Sequence, residues 1–72
     1  MHIELNGQLE GEFEGWSGDT IFEFTNGQIW RQCEYSYSYS YAYRPGAKIW
    51  NKSGDYFLEV DGMKQMIRCS SY

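Results

Sequence analysis

Apolar and polar residues alternate along most of this chain in short runs, and almost every run is closed by a glycine or a turn dipeptide. A period of two belongs to strands, whose successive side chains leave opposite faces. Gln8 to Trp16 alternates weakly, with Leu9 and Phe13 set against Glu10, Glu12 and Glu14. Thr20 to Thr25 puts Phe22 and Phe24 on one face and Ile21 and Glu23 on the other. Ala47 to Asn51 opposes Ile49 to Lys48 and Trp50. Tyr56, Leu58 and Val60 then alternate with Phe57 and Glu59, and Met63, Gln65, Ile67 and Cys69 with Lys64, Met66 and Arg68. Asn26-Gly27 and Asp61-Gly62 have the composition of two-residue hairpin turns, whose residues must tolerate positive φ. Arg44-Pro45-Gly46 and Ser53-Gly54-Asp55 are further turns, and Gly15 and Gly18 bracket a loop around Trp16 and Ser17. No window long enough for a helix shows its periodicity.

The clearest alternation is Tyr35, Tyr37, Tyr39, Tyr41 and Tyr43, separated by Ser36, Ser38, Ser40 and Ala42. In extended backbone all five rings share one face. From Gln28 to Arg44 there is neither Gly nor Pro, and one straight strand of that length would span roughly 55 Å, whereas a domain of this size has a radius of gyration of about 11 Å. The segment must therefore bend. Trp30 is at an even position and the tyrosines at odd ones. If they share a face, one extra residue is needed between them, which predicts a β-bulge or bend near Cys33-Glu34.

The expected fold is all-β and helix-free: five or six short antiparallel strands in meander order, curled into a small SH3-like barrel that covers its open edges. The chain is one domain spanning residues 1–72, with 1–7 and 70–72 expected to fray. A core this thin relies on its aromatic residues, 19% of the chain.

Charge refines the picture. The net charge is −4 and unevenly spread. Residues 1–34 hold Glu4, Glu10, Glu12, Glu14, Asp19, Glu23 and Glu34 against Arg31 alone, while residues 35–72 are net positive. Such a chain lacks the basic footprint of a nucleic-acid binder, and its acidic half suits basic partners. No apolar stretch approaches the length of a membrane span, and Met1 to Gly7 lacks the basic and apolar regions of a signal peptide, so a cytoplasmic setting is expected. Cys33 and Cys69 are then free thiols. One histidine and no Cys-x-x-Cys leave too few ligands for a zinc site, and no cofactor is expected.

The strings Gly18-Asp19-Thr20-Ile21-Phe22, Asn26-Gly27-Gln28-Ile29-Trp30 and Tyr39-Ser40-Tyr41-Ala42-Tyr43-Arg44-Pro45 resemble a family of short, uncharacterised bacterial proteins with a GDTIF, NGQxW and YRP pattern. The similarity covers roughly residues 9 to 68. It implies a shared small β fold and transfers no activity, ligand or catalytic residue.

Three functions compete. A tyrosine-rich strand face can bind a protein or peptide, because Tyr offers a rigid face and a hydroxyl at low entropic cost. Tyr35, Tyr37, Tyr39, Tyr41 and Tyr43 are its candidate contacts, with Trp16 as an anchor in its glycine-flanked loop and Arg44 beside them. Self-association through the same face is a variant of this reading. Glu10, Glu12 and Glu14 could instead mimic a phosphate backbone and block a nuclease or defence complex, as phage-encoded inhibitors do. The third reading is aromatic stacking on a small ligand or nucleotide. The bland alternatives are rings that only pack across strands and carboxylates that only guard a strand edge. Catalysis has little support: His2 is terminal, Cys33 has no evident base, Glu12 and Glu14 lack a deep cleft, and no glycine-rich phosphate loop occurs.

Overall fold

The computed structural model describes every residue from Met1 to Tyr72. Eight strands form: β1 (His2–Gln8), β2 (Glu12–Phe13), β3 (Ile21–Glu23), β4 (Ile29–Gln32), β5 (Ala42–Tyr43), β6 (Gly46–Lys52), β7 (Asp55–Val60) and β8 (Ile67–Ser71). There is no helix, and so none long and apolar enough to cross a membrane. Six strands make one antiparallel sheet in the order β1-β6-β7-β8-β4-β3, and β2 pairs with β5 in a small second sheet. The radius of gyration is 10.8 Å.

The meander expected from the sequence holds for β3-β4 and for β6-β7-β8. Elsewhere the order is set by long-range pairing, which a local pattern does not encode: β1 lies against β6 and β4 against β8. The residues that follow the outer strands β1 and β3 meet at a single bridge, Leu9 to Phe24, flanked by bonds from Thr25 N–H to the Gln8 carbonyl and from Glu10 N–H to the Glu23 carbonyl, both 2.8 Å. The sheet is thus drawn toward itself at one point without forming a closed barrel.

The apolar face of each alternating run supplies the core. Leu9, Phe13, Phe22, Phe24, Trp30, Ala47, Ile49, Leu58, Val60, Ile67 and Cys69 are buried together with Trp16. At roughly 25 cal/mol per Å² of apolar surface, this cluster is the principal stabilising term. Trp30 packs edge-on against Tyr56 at 5.2 Å, and its indole N–H donates to Gln28 Oε1.

Turn chemistry departs from expectation in an instructive way. Asn26 keeps a negative φ, so Thr25-Asn26-Gly27 is a three-residue loop closed by Phe24 N–H to the Gln28 carbonyl at 2.8 Å. Asp61-Gly62 makes a turn closed by Met63 N–H to the Val60 carbonyl, but β8 starts only at Ile67, leaving Met63 to Met66 outside the ladder. The two-residue turn with both φ values positive is Ser53-Gly54, at 53° and 90°, between the paired residues Lys52 and Asp55. The side chain of Asn51 caps it by accepting from Gly54 N–H.

The ends expected to fray are paired. β1 runs alongside β6 from His2 to Gln8 with an irregularity between Ile3 and Leu5, and Tyr72 N–H donates to the Ile29 carbonyl. Backbone pairing, not burial, orders β1, since most of its side chains face solvent. The cysteines are free: Cys69 sits in register with Gln32, so Cys33, one residue further, points to the exposed side.

Candidate functional site

The tyrosine segment begins where β4 ends. The predicted break at Cys33-Glu34 is present, as a bend at Glu34, but its cause differs from the one inferred. Trp30 and Gln32 face inward, and the odd-numbered tyrosines face outward. Trp30 and the tyrosines therefore face opposite ways, as their even and odd positions allow, and no extra residue is needed between them. The bend is fixed instead by Gln32, whose side chain is 2% exposed. Its Nε2 donates to the carbonyls of Glu34 at 2.8 Å and Ser36 at 3.0 Å, and its Oε1 accepts from Thr20 N–H. A buried amide with donors and acceptor all satisfied is a strong local constraint.

Beyond the bend, residues 35–41 form no continuous ladder. Their backbone-to-backbone hold on the domain is the reciprocal pair Trp16 N–H to the Ser38 carbonyl (2.9 Å) and Ser38 N–H to the Trp16 carbonyl (3.0 Å). The pairing resumes where β5 meets β2, with Ala42 opposite Phe13 and Tyr43 opposite Glu12. The Tyr41 side of this ladder holds one residue more than the Gly15 side, so the tyrosine strand bulges there.

All five tyrosines are exposed, from 54% at Tyr41 to 82% at Tyr35. Ser36, Ser40 and Ala42 are half-buried beneath them. Tyr35 and Tyr37 meet edge to face at 5.0 Å, and the Tyr41 hydroxyl donates to Glu12 Oε1 at 3.4 Å. Partial desolvation, then the charge and hydrogen bond of Glu12, hold the Tyr41 phenol above its ordinary pKa. The rings therefore contribute little to the core.

Trp16 is not the exposed anchor expected from its loop. It is 5% exposed and packs edge-on against Phe13 at 6.2 Å. Gly15 is what admits it, because a Cβ there would collide with the Ser38 backbone. Arg44 adopts a left-handed φ of 50°, donates its N–H to the Gly11 carbonyl and places its guanidinium 3.3 Å from Glu10.

Two open grooves flank the tyrosine strand, and Trp16, Tyr37, Ser38 and Tyr39 border both. The larger, about 610 Å³, has an apolar floor of Leu9, Phe13 and Phe22 and a rim carrying Glu10, Glu12, Glu14 and Glu23. The smaller, about 470 Å³, runs on to Met63 and Lys64. The structure thus joins the tyrosine set to the Glu10, Glu12 and Glu14 set, which the sequence left as separate surfaces. It does not bring Lys48 or Lys52 to either groove. No group of three or more His, Cys, Asp or Glu side chains is placed to hold a metal ion.

Sequence reading missed Gln32 and Gly15. Gln32 left a signal, a polar residue on the inward phase two positions after Trp30. Gly15 left none beyond its place beside Trp16. No protein-family model matches the chain, and no curated protein or solved structure matches it significantly.

Proposed function

We propose that this protein is a non-enzymatic interaction module that binds a protein or peptide through its tyrosine strand and the acidic groove beside it. One observation carries the reading: five phenol rings at alternate positions stand exposed along a segment that is tied down by the Gln32 side chain and at Ser38. Exposed aromatic surface of this extent marks binding sites in soluble domains. Tyr also suits contact because few rotamers are lost on binding.

The single bridge just past β1 and β3 supports reading the fold as an incompletely closed relative of SH3-like barrels. The acidic rim favours a basic partner over nucleic acid, so an inhibitor of a nuclease would act here by occupying its basic groove. A second copy of the chain is a further candidate occupant of the ring face.

The test is capture of partners by the wild-type protein and by the triple variant Tyr37→Ser, Tyr39→Ser, Tyr41→Ser, with folding followed by thermal denaturation. The module reading requires capture to be lost while the melting transition persists. Unchanged capture would sink it, as would collapse of the fold. Sedimentation of both proteins separates self-association from capture of another chain.

A further inference from the structure

The larger groove is a gap between strands. Where Leu9 bridges Phe24, the chain leaving β1 runs antiparallel to β3, and Glu10 N–H donates to the Glu23 carbonyl. At Gly11 the chain bends, and β2 pairs with β5 instead. Beyond the Glu10–Glu23 bond, the edge of β3 at Ile21 is left without a neighbour. The bonds from Gln32 N–H to the Thr20 carbonyl and from Phe24 N–H to the Gln28 carbonyl set the phase of the β3-β4 ladder. Antiparallel pairs alternate between bonded and non-bonded. Ile21, in register with Arg31, therefore turns its N–H and C=O away from β4 and into the groove it lines. An unpaired edge of this kind is a template for another extended chain.

The surroundings select which chain. Glu10, Glu12, Glu14 and Glu23 line the groove, and no Lys or Arg does. Arg44 faces Glu10 alone. Tyr37 and Tyr39 also line the groove, and phenol faces attract cations. We propose that an extended peptide segment carrying lysine or arginine adds as a strand to the Ile21 edge of β3, its cationic side chains lying among Glu12, Glu14 and Glu23 and against the rings of Tyr37 and Tyr39. The inference rests on the interaction-module reading and gives its partner a chemistry. A nucleic acid would meet four carboxylates and gain nothing from counterion release.

The experiment titrates the intact protein with three short peptides of alternating sequence, Lys-Val, Ser-Val and Glu-Val, followed by amide NMR and hydrogen exchange. The Lys-Val peptide should bind about tenfold more tightly than Ser-Val, with Glu-Val weaker still. It should shift the Ile21 amide and protect it from exchange, and its affinity should fall as salt rises. Glu12→Gln and Glu14→Gln should each weaken it about two- to fivefold, the size expected of exposed pairs. Ile21→Pro removes a donor that the sheet does not use and should cost about tenfold in affinity while the spectrum stays dispersed. If that variant does not fold, exchange protection of Ile21 in the wild type decides. Equal binding of all three peptides, or binding of none, overturns the proposal. So does a Lys-Val complex that shifts Tyr37 and Tyr39 but not Ile21, an outcome that leaves the tyrosine-face reading standing.

Discussion

Gly15 and Ser38 approach so closely that a Cβ on Gly15 would lie 1.9 Å from the Ser38 carbonyl oxygen. Gly15 directly precedes Trp16, whose reciprocal bonds with Ser38 tie the backbone of the middle of the tyrosine segment to the domain.

Gly15→Ala should therefore be costly. It meets immovable backbone and a φ of 93°, and together these should destabilise the fold by about 2–4 kcal/mol. Gly11→Ala is the control, with a φ of 63° but nothing within 4 Å, and should lose only about 1–2 kcal/mol. Urea denaturation of both variants measures the difference. Equal losses would show that the Ser38 contact is unimportant.

Gln32→Leu keeps the bulk and deletes the amide. The carbonyls of Glu34 and Ser36 and the N–H of Thr20 then lose their partner, which should cost about 2–3 kcal/mol. Relaxation measurements should show Tyr35 and Tyr37 gaining mobility on the nanosecond scale while β7 stays rigid. Gln32→Glu keeps the acceptor and loses both donors, so it should resemble Gln32→Leu at the bend.

Tyr39→Ser and Tyr37→Ser should each change stability by less than about 0.5 kcal/mol, because exposed side chains outside the core seldom matter more. Leu58→Ala, at a fully buried position, should cost about 2–5 kcal/mol. Thermal melts of the three variants compare these directly. A tyrosine variant as damaging as Leu58→Ala would place the rings among the structural elements.

Alkaline pH should weaken the fold through Cys69. Burial, and then the neighbouring Cys33, pushes its thiol from 9.0 up to about 12. Above pH 9 the unfolded chain forms a thiolate while the folded chain retains the proton, so the stabilisation is complete below pH 9 and is lost between pH 9 and about 12. Tyr41, also raised, acts in the same direction. Cys69→Val should make the decline of the denaturation midpoint with pH shallower, and an unchanged slope would exclude Cys69 as its source.

The apolar phase of each run is legible in the sequence: alternation puts Phe22 with Phe24, Leu58 with Val60 and Ile67 with Cys69, each pair on one face of its run, and the structure buries them together with Ile49. Turn type was less legible, because φ at Asn26 and Asp61 depends on loop length as well as composition. Strand order was not legible: nothing local in His2 to Gln8 announces its pairing with β6. The tyrosines' common side followed from their spacing, but their exposure did not. It depends on Gln32 facing inward and on Gly15 admitting Trp16, two long-range packing facts. The burial of Trp16 is not legible because glycine neighbours suggest a surface loop, whereas Gly15 here permits the close backbone approach of Ser38 that pairs with Trp16.

The segment from Cys33 to Tyr41 directs its phenols outward and, the Tyr41–Glu12 bond apart, is anchored by the Gln32 amide and the Trp16–Ser38 backbone bonds. Its specificity and its architecture are consequently encoded by different letters of the sequence. A library recoding positions 35, 37, 39, 41 and 43 should retain the parent's thermal transition in most members, making this chain a small scaffold on which new recognition could be selected.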